Sequence, residues 1–374
     1  MINKLKLNKN FGVRCFCIDS VKSTKWRWLC KALKLKIEYA NLLSVVIITG
    51  SAGFIGYRLA KHLQNISQEK GQDVIGVDEL LLMHALPEHQ DFTPKEEFAP
   101  EAILNESFFK NRQDAGNLVT GIFHMGACSD TTEMRADYLN RVNLDYSKQI
   151  WNLASKFKIP FVYASSAATY GDGEHGYADE ETEIHKLKPL NLYATSKQQF
   201  DLWVLEQEKL GNTPPTWSGF KFFNVYGFGE RHKGKMASVV LQGFDQIRKN
   251  GTLKLFKSHR DGIADGEQKR DFVYIEDVIK VLLFAFEKPI QRGIFNLGSG
   301  LGRSFKDLAH AIFKGLGADA KIDFIDTPLE IRDRYQYFTE AKMNKLRNEG
   351  YLNEFTSLEK GVEKTLQELL RSSQ

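Results

Sequence analysis

A tyrosine and a lysine four residues apart form a pair suited to proton transfer. Tyr193 and Lys197 lie in the run YATSK, at the start of a segment that reads as a helix. Side chains four residues apart share one helix face, so the ammonium would lie near the phenol. A free tyrosine has a pKa of about 10, and a nearby cation favours its phenolate. The spacing predicts that Tyr193 is a general acid and base, although a surface tyrosine beside a solvated lysine has the same spacing.

Hydroxyl-bearing residues follow a predicted strand upstream of this pair. The run FVYASSAATYG begins with strand-forming residues at 161–164 and continues with small and hydroxyl-bearing ones. In open α/β sheets, ligands bind at the carboxyl ends of the strands. Ser166 would therefore lie at the ligand-binding edge of a sheet.

A glycine-rich loop stands between the first predicted strand and the first predicted helix. In the run TGSAGFIG, Gly50 permits a tight turn, Gly53 allows a pyrophosphate to approach backbone N–H groups, and Gly56 permits close packing of helix and strand. The helix N-terminus that follows favours bound phosphate. The loop predicts dinucleotide binding, with an ordinary glycine-rich turn as the alternative.

The second predicted strand ends in an acid that bears on the choice of dinucleotide. Asp78 is placed to accept hydrogen bonds from the adenosine ribose hydroxyls, which favours NAD, although a helix or loop cap is an alternative. Lys95, in the following predicted loop, is a candidate partner for the 2′-phosphate of NADP. At this point both cofactors remain open.

These residues need a sheet and helices to position them, and the sequence shows both in alternation. Short β-branched or aromatic runs predict strands, and apolar residues at helical spacing predict helices. Polar stretches at 79–100 and 258–270 read as loops. The predicted strands are 45–48, 74–77, 121–124, 161–164, 221–225 and 294–297. One predicted helix begins at Phe54, and three others span about 137–157, 193–210 and 236–250.

Alternating strands and helices favour a parallel sheet that is covered on both faces. The sequence therefore predicts an α/β fold: a Rossmann-type doubly wound parallel sheet with a smaller, interleaved C-terminal substrate-binding domain. We expect the dinucleotide-binding domain at 44–226 plus about 271–300, and the substrate-binding domain at about 227–270 plus 301–374. Residues 1–43 read as a basic N-terminal extension.

Composition narrows the classes of protein further. The 374 residues are 42% hydrophobic and 26% charged, as in globular chains. The sequence contains no run of about 18 apolar residues, so it predicts no membrane span. The four cysteines include no paired Cys-x-x-Cys units, so we expect no metal site and a reducing, cytoplasmic location.

Charge is unevenly distributed along the chain. The first 44 residues carry ten of the 51 basic and two of the 47 acidic residues, which leaves a net charge of −4 on the remainder. The negative net charge of residues 45–374 therefore does not favour binding to nucleic acid.

In their order along the chain, the glycine loop, Ser166 and the Tyr193–Lys197 pair resemble the extended short-chain dehydrogenase/reductase superfamily. Its members move a hydride between a sugar and NAD(P), so the resemblance implies catalysis by these three side chains. Further runs resemble the ADP-L-glycero-D-manno-heptose 6-epimerase family over about residues 45–370. They are GACSDTTE, YASSAATYG, FNVYG, RHKGKMASV, KRDFVY and Arg334-Tyr335-Gln336.

The resemblance implies interconversion of ADP-D-glycero- and ADP-L-glycero-D-manno-heptose, for lipopolysaccharide precursor synthesis. Transient oxidation at C6″ by tightly bound NADP, or alternatively NAD, avoids removing a very weakly acidic proton. Tyr193 would serve one face of the carbon and Lys233 the other. A phosphate-binding or solvated lysine is the alternative for Lys233. The resemblance also implies a homo-oligomer.

Further site residues follow from the same resemblance. Arg270 would hold the diphosphate or the heptose together with Tyr335; an ion pair and a packed ring are their alternatives. The remaining implied substrate contacts are Asn224 and Lys235. The remaining implied cofactor contacts are Phe54, Ile55, Gly126, Ala127, Asn143, Tyr193, Lys197 and Val225.

The sequence departs from the family pattern at Met125, Lys235 and 257–259, and it has an unusual insertion near 260–266. Two alternatives therefore stay open: another nucleotide-sugar epimerase, of the UDP-hexose 4-epimerase type, and a non-catalytic NAD(P)-binding regulatory protein. The retention of Ser166 together with the tyrosine and lysine argues against the second.

Overall fold

The computed structural model describes residues 43–70, 72–78, 94–288, 290, 292–332 and 335–372. The predicted extension at 1–43 lies outside the described residues except for its last residue, and so does Arg334. The described strands are β1 (Leu43–Thr49), β2 (Gln72–Val77), β3 (Glu96–Phe98), β4 (Asn117–His124), β5 (Phe161–Ser166), β6 (Trp217–Phe222), β7 (Asn224–Tyr226), β8 (Leu253–Phe256), β9 (Lys269–Tyr274), β10 (Gly293–Leu297), β11 (Gly302–Ser304) and β12 (Ile322–Ile325).

The third helix combines two α-helical stretches, Ala136–Leu139 and Tyr146–Phe157, with a π-helical stretch, Asn140–Asp145, between them. The described helices are α1 (Phe54–Lys70), α2 (Glu106–Asp114), α3 (136–157), α4 (Leu192–Leu210), α5 (Val239–Asn250), α6 (Ile275–Glu287), α7 (Phe305–Gly315), α8 (Leu329–Arg332), α9 (Asn344–Asn348) and α10 (Leu358–Ser372). None of these helices has the length and apolar character that a bilayer crossing requires.

The central sheet contains seven strands in the order β3-β2-β1-β4-β5-β6-β10, and all neighbours are parallel. Its inner strand β1 is buried on both faces: Val46 and Ile48 join one apolar core, and Val45 and Ile47 join a second one on the opposite face. Helices cover both faces, as the near-continuous apolar run of β1 predicts. The predicted doubly wound fold is confirmed.

The predicted strand at 221–225 is in fact two strands in different sheets. Lys221 and Phe222 end β6, whereas β7 pairs with β9 through Val225 and Val273. The buried Phe223 separates them, and its N–H donates to Leu297 O at 3.1 Å. A second sheet has the order β11-β9-β7, and a third pairs β8 with β12.

Other boundaries also differ from the prediction. Strand β3 lies within the predicted loop at 79–100, of which 79–93 are outside the described residues. Helix α5 begins at Val239, not at 236, because the Ser238 hydroxyl accepts from Leu241 N and caps the helix. The predicted domain boundaries remain a prediction.

Candidate active site

The glycine loop brings the ends of β1 and β4 into close contact. Gly50 has a φ of +68°, and its carbonyl accepts from Gly53 N at 3.0 Å. A Cβ on Gly50 would lie 2.6 Å from Gly126 N, and Gly126 N donates to Thr49 Oγ1 at 3.0 Å. A Cβ on Gly56 would lie 2.0 Å from Gly50 O. This tight loop lies before the N-terminus of α1, where the strand order reverses, and therefore fits a dinucleotide pyrophosphate.

Asp78 lies directly after β2 and contacts the same loop. Its Oδ2 accepts from Ala52 N at 2.9 Å, which holds a carboxylate beside the loop where an adenosine ribose would lie. Lys95 does not reach this end of β2. Its Nζ contacts Asp73 Oδ2 at 2.5 Å, and Asp73 belongs to the opposite end of the strand. At ~3.3 Å per residue, the two acids are about 16 Å apart along β2, so this placement does not support the predicted 2′-phosphate contact.

Ser166 and Tyr193 meet at the carboxyl end of β5. Ser166 Oγ accepts from Ala168 N at 3.1 Å, and the Tyr193 phenol lies close enough to interact with it. Helix α4 starts one residue before Tyr193, because the Asn191 side chain caps it by accepting from Ala194 N at 2.8 Å. Burial raises the pKa of Tyr193, while the interaction with Ser166 acts to lower it.

Lys197 lies one turn further along α4 and turns toward the same strand end. Its Nζ donates to Ala164 O at 2.8 Å. Burial lowers the pKa of Lys197 to about 8, whereas the nearby Asp201 and Cys128 act to raise it. The structure therefore brings the three predicted catalytic side chains to one edge of the sheet.

A buried ion pair beneath these residues was missed from the sequence. Asp201 and Lys221 both have fully buried side chains, and their Oδ2 and Nζ are 2.6 Å apart. Lys221 also donates to Thr169 Oγ1 at 2.7 Å, and Ser165 Oγ donates to Asp201 at 2.7 Å. Two signals were present: Asp201 continues the four-residue spacing beyond Lys197, and Lys221 is the one charged residue of WSGFKF.

His124, at the end of β4, joins β1 to α3. Its Nε2 and Ser147 Oγ are 2.7 Å apart, and its Nδ1 is 2.7 Å from Thr49 Oγ1. Because Ser147 Oγ donates to Asn143 O, it accepts from Nε2, and Nδ1 accepts from Thr49. Burial, followed by the nearby Lys197, lowers the pKa of His124 to about 3, so a neutral imidazole positions Thr49 against the glycine loop.

Asn143, in the π-helical stretch of α3, holds the loop that follows β4. Its Oδ1 accepts from Cys128 N at 2.8 Å, and its Nδ2 donates to Cys128 O and to Ser196 Oγ, both at 3.0 Å. The segment that contains Gly126 and Ala127 is thereby tied to α4. These contacts explain the buried amide of Asn143, while its predicted cofactor contact stays a prediction.

The side chains of other predicted cofactor contacts face different environments. Phe54 is buried in the apolar core, and Ile55 packs against that core, so a phosphate near them would meet the backbone N–H groups at the start of α1. Val225 is partly buried, and Asn224, a predicted substrate contact, is exposed on β7.

The segment after β7 brings Lys233 near the glycine loop. Lys233 Nζ lies 5.0 Å from the centre of the Phe54 ring and 3.0 Å from Glu230 Oε2. Thr131 Oγ1 donates to Met236 Sδ at 3.7 Å, which joins this segment to the loop after β4. Lys235 is exposed. Among the residues that the structure describes, Lys233 has a carboxylate partner, so it is not a freely solvated lysine.

Arg270 presents a buried guanidinium among aromatic rings. Its side chain is 6% exposed, and its Nη1 donates to Lys269 O at 2.9 Å. The guanidinium carbon lies 5.2 Å from the Tyr335 ring centre and 5.7 Å from that of Phe305. Burial lowers the pKa of Arg270. In the described part of the chain no ion pair joins it to an acid, so the ion-pair alternative is not supported, and the remaining donors suit an anion.

The fold and the glycine loop place the protein in the Rossmann class of nucleotide-binding proteins. Residues 46–298 match the NAD dependent epimerase/dehydratase family, and the chain belongs to that family. The resemblance deduced from the sequence is confirmed. The family depends on a nicotinamide cofactor, in agreement with the geometry of the glycine loop.

Curated relatives show which members of this family the chain is similar to. The chain is 42% identical over 339 residues to the ADP-L-glycero-D-manno-heptose-6-epimerase of Fusobacterium nucleatum. The alignment covers 87% of this chain and 98% of that relative. It is 39% identical to the protein of the same name from Nitratidesulfovibrio vulgaris, and the alignment covers 84% of this chain and 95% of that relative. The crystal structure of the Helicobacter pylori ADP-L-glycero-D-manno-heptose-6-epimerase is similar with a TM-score of 0.70 at 28% identity, covering 89% of this chain and 97% of that one.

Proposed function

We propose that this chain interconverts ADP-D-glycero-D-manno-heptose and ADP-L-glycero-D-manno-heptose by transient oxidation at C6″, as a step of lipopolysaccharide precursor synthesis. The observation that carries the proposal is the convergence of Ser166, Tyr193 and Lys197 at the carboxyl end of β5. The names of the curated relatives supply the substrate class.

A bound nicotinamide supplies a reversible acceptor for the hydride of the sugar carbon. The phenol of Tyr193 exchanges the hydroxyl proton on one face, and the neighbouring Ser166 hydroxyl orients it. The ammonium of Lys197, which lies at the same strand end, stabilises the phenolate by its charge. Lys233 exchanges the proton on the opposite face, after the keto sugar has turned in the site.

Arg270 is proposed to bind the diphosphate of the substrate, with Tyr335 beside it. A planar guanidinium makes paired hydrogen bonds to phosphate that an ammonium does not reproduce. We expect Arg270→Lys to raise KM for ADP-heptose about 10- to 100-fold and to leave bound dinucleotide unchanged, since a hydrogen bond to a charged group contributes about 1.5–3 kcal/mol. Arg303→Lys, an ion-paired arginine of β11, is the matched control for steady-state kinetics. An unchanged KM in Arg270→Lys would show that Arg270 does not bind the diphosphate.

We further infer that the resident cofactor is NAD and not NADP. The carboxylate of Asp78 beside the glycine loop suits ribose hydroxyls and repels a 2′-phosphate, and Lys95 is paired at the other end of β2. Mass spectrometry of the cofactor released from purified protein tests this: NAD is expected, and recovery of NADP alone would contradict it.

We also propose that the enzyme is a cytoplasmic homo-oligomer. The few cysteines fit a reducing compartment. A groove of mixed character between α3 and α4 is the surface that would suit a second copy, because Leu144, Leu202 and Trp203 line it beside Asn140, Lys148, Gln199 and Glu206. Light scattering after gel filtration measures the assembly, and a monomer at micromolar concentration would contradict the oligomer.

The activity itself is tested with purified protein and ADP-D-glycero-D-manno-heptose. We expect conversion to the L-glycero epimer, detected by chromatography or NMR, without added cofactor. A parallel incubation with UDP-glucose tests the 4-epimerase alternative. Conversion of UDP-glucose but not of ADP-heptose would replace the proposal by that alternative.

A further inference from the structure

Glu230 is a buried acid in the segment between β7 and α5, and the reaction proposed above gives it no role. Its side chain is 0% exposed. A carboxylate is unfavourable in the protein interior unless it is paired and hydrogen-bonded. A buried acid three residues before a proposed proton-transfer lysine therefore needs a physical account.

Both carboxylate oxygens of Glu230 bind the segment that carries Lys233. Oε1 accepts from Gly227 N at 3.2 Å and from Ser238 Oγ at 2.7 Å. Oε2 accepts from Ser238 N at 2.9 Å and from Lys233 Nζ at 3.0 Å. The one carboxylate thus joins both ends of the segment to the lysine at its centre.

These contacts restrict where the ammonium of Lys233 can lie. Its side chain is 22% exposed, and its Nζ lies 5.0 Å from the centre of the Phe54 ring, at the start of α1. A lysine side chain has four flexible carbons, so without a partner its ammonium would sample many positions. One of its three N–H donors binds Glu230, which leaves the others for a ligand.

On the basis of the proposed function, we infer that Glu230 is a positioning residue for Lys233. It holds the ammonium on the side of the reacting carbon opposite Tyr193. When the keto sugar is reduced on that side, Lys233 gives one proton to the sugar oxygen and becomes a neutral amine. In the reverse direction the amine takes the hydroxyl proton back, and Glu230 remains a carboxylate throughout.

The test replaces the carboxylate while keeping its size. In Glu230→Gln we expect kcat for epimerisation to fall about 10- to 100-fold with KM changed much less, because general acid–base groups contribute about 10²–10⁴-fold. On mixing with one heptose epimer, the absorbance of reduced nicotinamide should appear as fast as in the wild type. With the other epimer it should appear slowly, and Tyr193→Phe should show the opposite preference.

Two further variants separate positioning from a general loss of structure. Asp277→Asn is the matched control, because Asp277 is a buried acid with a lysine three residues later, Lys280, whose Nζ is 3.0 Å away. This control should oxidise both epimers at wild-type rates. Glu230→Asp retains the charge and should recover part of the activity that Glu230→Gln loses.

The outcomes distinguish this inference from the proposed function. If the wild type does not interconvert the heptoses, the proposed function fails and the role of Glu230 with it. If the wild type does so and Glu230→Gln slows both epimers equally, or neither, then Glu230 does not position Lys233. Should Glu230→Gln not fold, Glu230→Asp carries the test: it must slow oxidation of the same epimer as Lys233→Met.

Discussion

At Tyr193, burial and the neighbouring Ser166 hydroxyl act on the phenol in opposite directions. Burial raises its pKa, and the contact with Ser166 lowers it. Lys197 is buried beside it, and burial lowers the pKa of this lysine to about 8. Burial thus disfavours both the phenolate of Tyr193 and the ammonium of Lys197, so the two pKa values move in opposite directions from their ordinary values of about 10.

Removal of the phenol hydroxyl tests this environment. We expect Tyr193→Phe to reduce kcat about 10²- to 10⁴-fold, because the ring remains while the proton-exchanging group is lost. Mass spectrometry should show the same content of bound dinucleotide as in the wild type. Tyr351→Phe, a change of a buried tyrosine near the C-terminus, is the control and should retain full activity. Near-normal turnover of Tyr193→Phe would remove this residue from its assigned role.

Lys233 is tested by a substitution that keeps the length of the side chain. Lys233→Met should slow epimerisation in both directions about 10²- to 10⁴-fold, since each direction uses this proton-transfer group once. Lys280→Met removes another lysine that is paired with an acid three residues earlier, and it should leave both rates unchanged. Unchanged rates in Lys233→Met, measured from each heptose epimer, would make this lysine a spectator.

At the scale of elements, the sequence predicted the residues that form local structure better than the contacts between distant segments. Val45 to Ile48, the glycine loop and the helix that begins near Tyr193 were identified because periodicity and turn chemistry are local signals. The contact of Lys95 with Asp73, at the far end of β2 from Asp78, was not foreseen, because strand register decides which end of β2 this lysine reaches. The break at Phe223 was missed because pairing with two different sheets leaves no mark on a short apolar run.

The connection that His124 makes between β1, β4 and α3 predicts sensitivity to acid. Its pKa is about 3 in the folded protein, against an ordinary value of 6.5. Between these values the unfolded chain binds a proton that the folded protein excludes, so the free energy of unfolding falls as pH decreases through this window. The contribution of this residue is at most about 1.4 kcal/mol per pH unit.

His124→Gln should therefore lose less stability than the wild type as pH falls from 6.5 toward 3. The glutamine retains a donor and an acceptor for Ser147 and Thr49. Urea unfolding at several pH values measures the difference, with the exposed His310→Gln as the control. Parallel pH profiles for His124→Gln and the wild type would show that His124 is not the group responsible.

For the whole molecule, binding of a dinucleotide should stabilise the folded state over the unfolded chain. Protein freed of bound cofactor should gain about 2.7 kcal/mol at a ligand concentration of 100 Kd, through mass action. If Asp78 selects NAD, the thermal midpoint should rise at lower concentrations of NAD than of NADP. Gly50→Ala, which would force a side chain against Gly126, should abolish both shifts. Equal shifts with the two dinucleotides would argue against selection by Asp78.

The single residue between β6 and β7 has a consequence for exchanging parts among relatives. The chain leaves the seven-stranded sheet at Phe223, rejoins it at β10, and leaves again for β11. A chimaera with one junction at Phe223 would take β10 of the seven-stranded sheet from the second parent, and one with its junction after β10 would divide the β11-β9-β7 sheet, so in both cases mismatched side chains would meet in an interior. Recombination that alters sugar preference should succeed only when the segment between β6 and β10 and the segment after β10 are transplanted together.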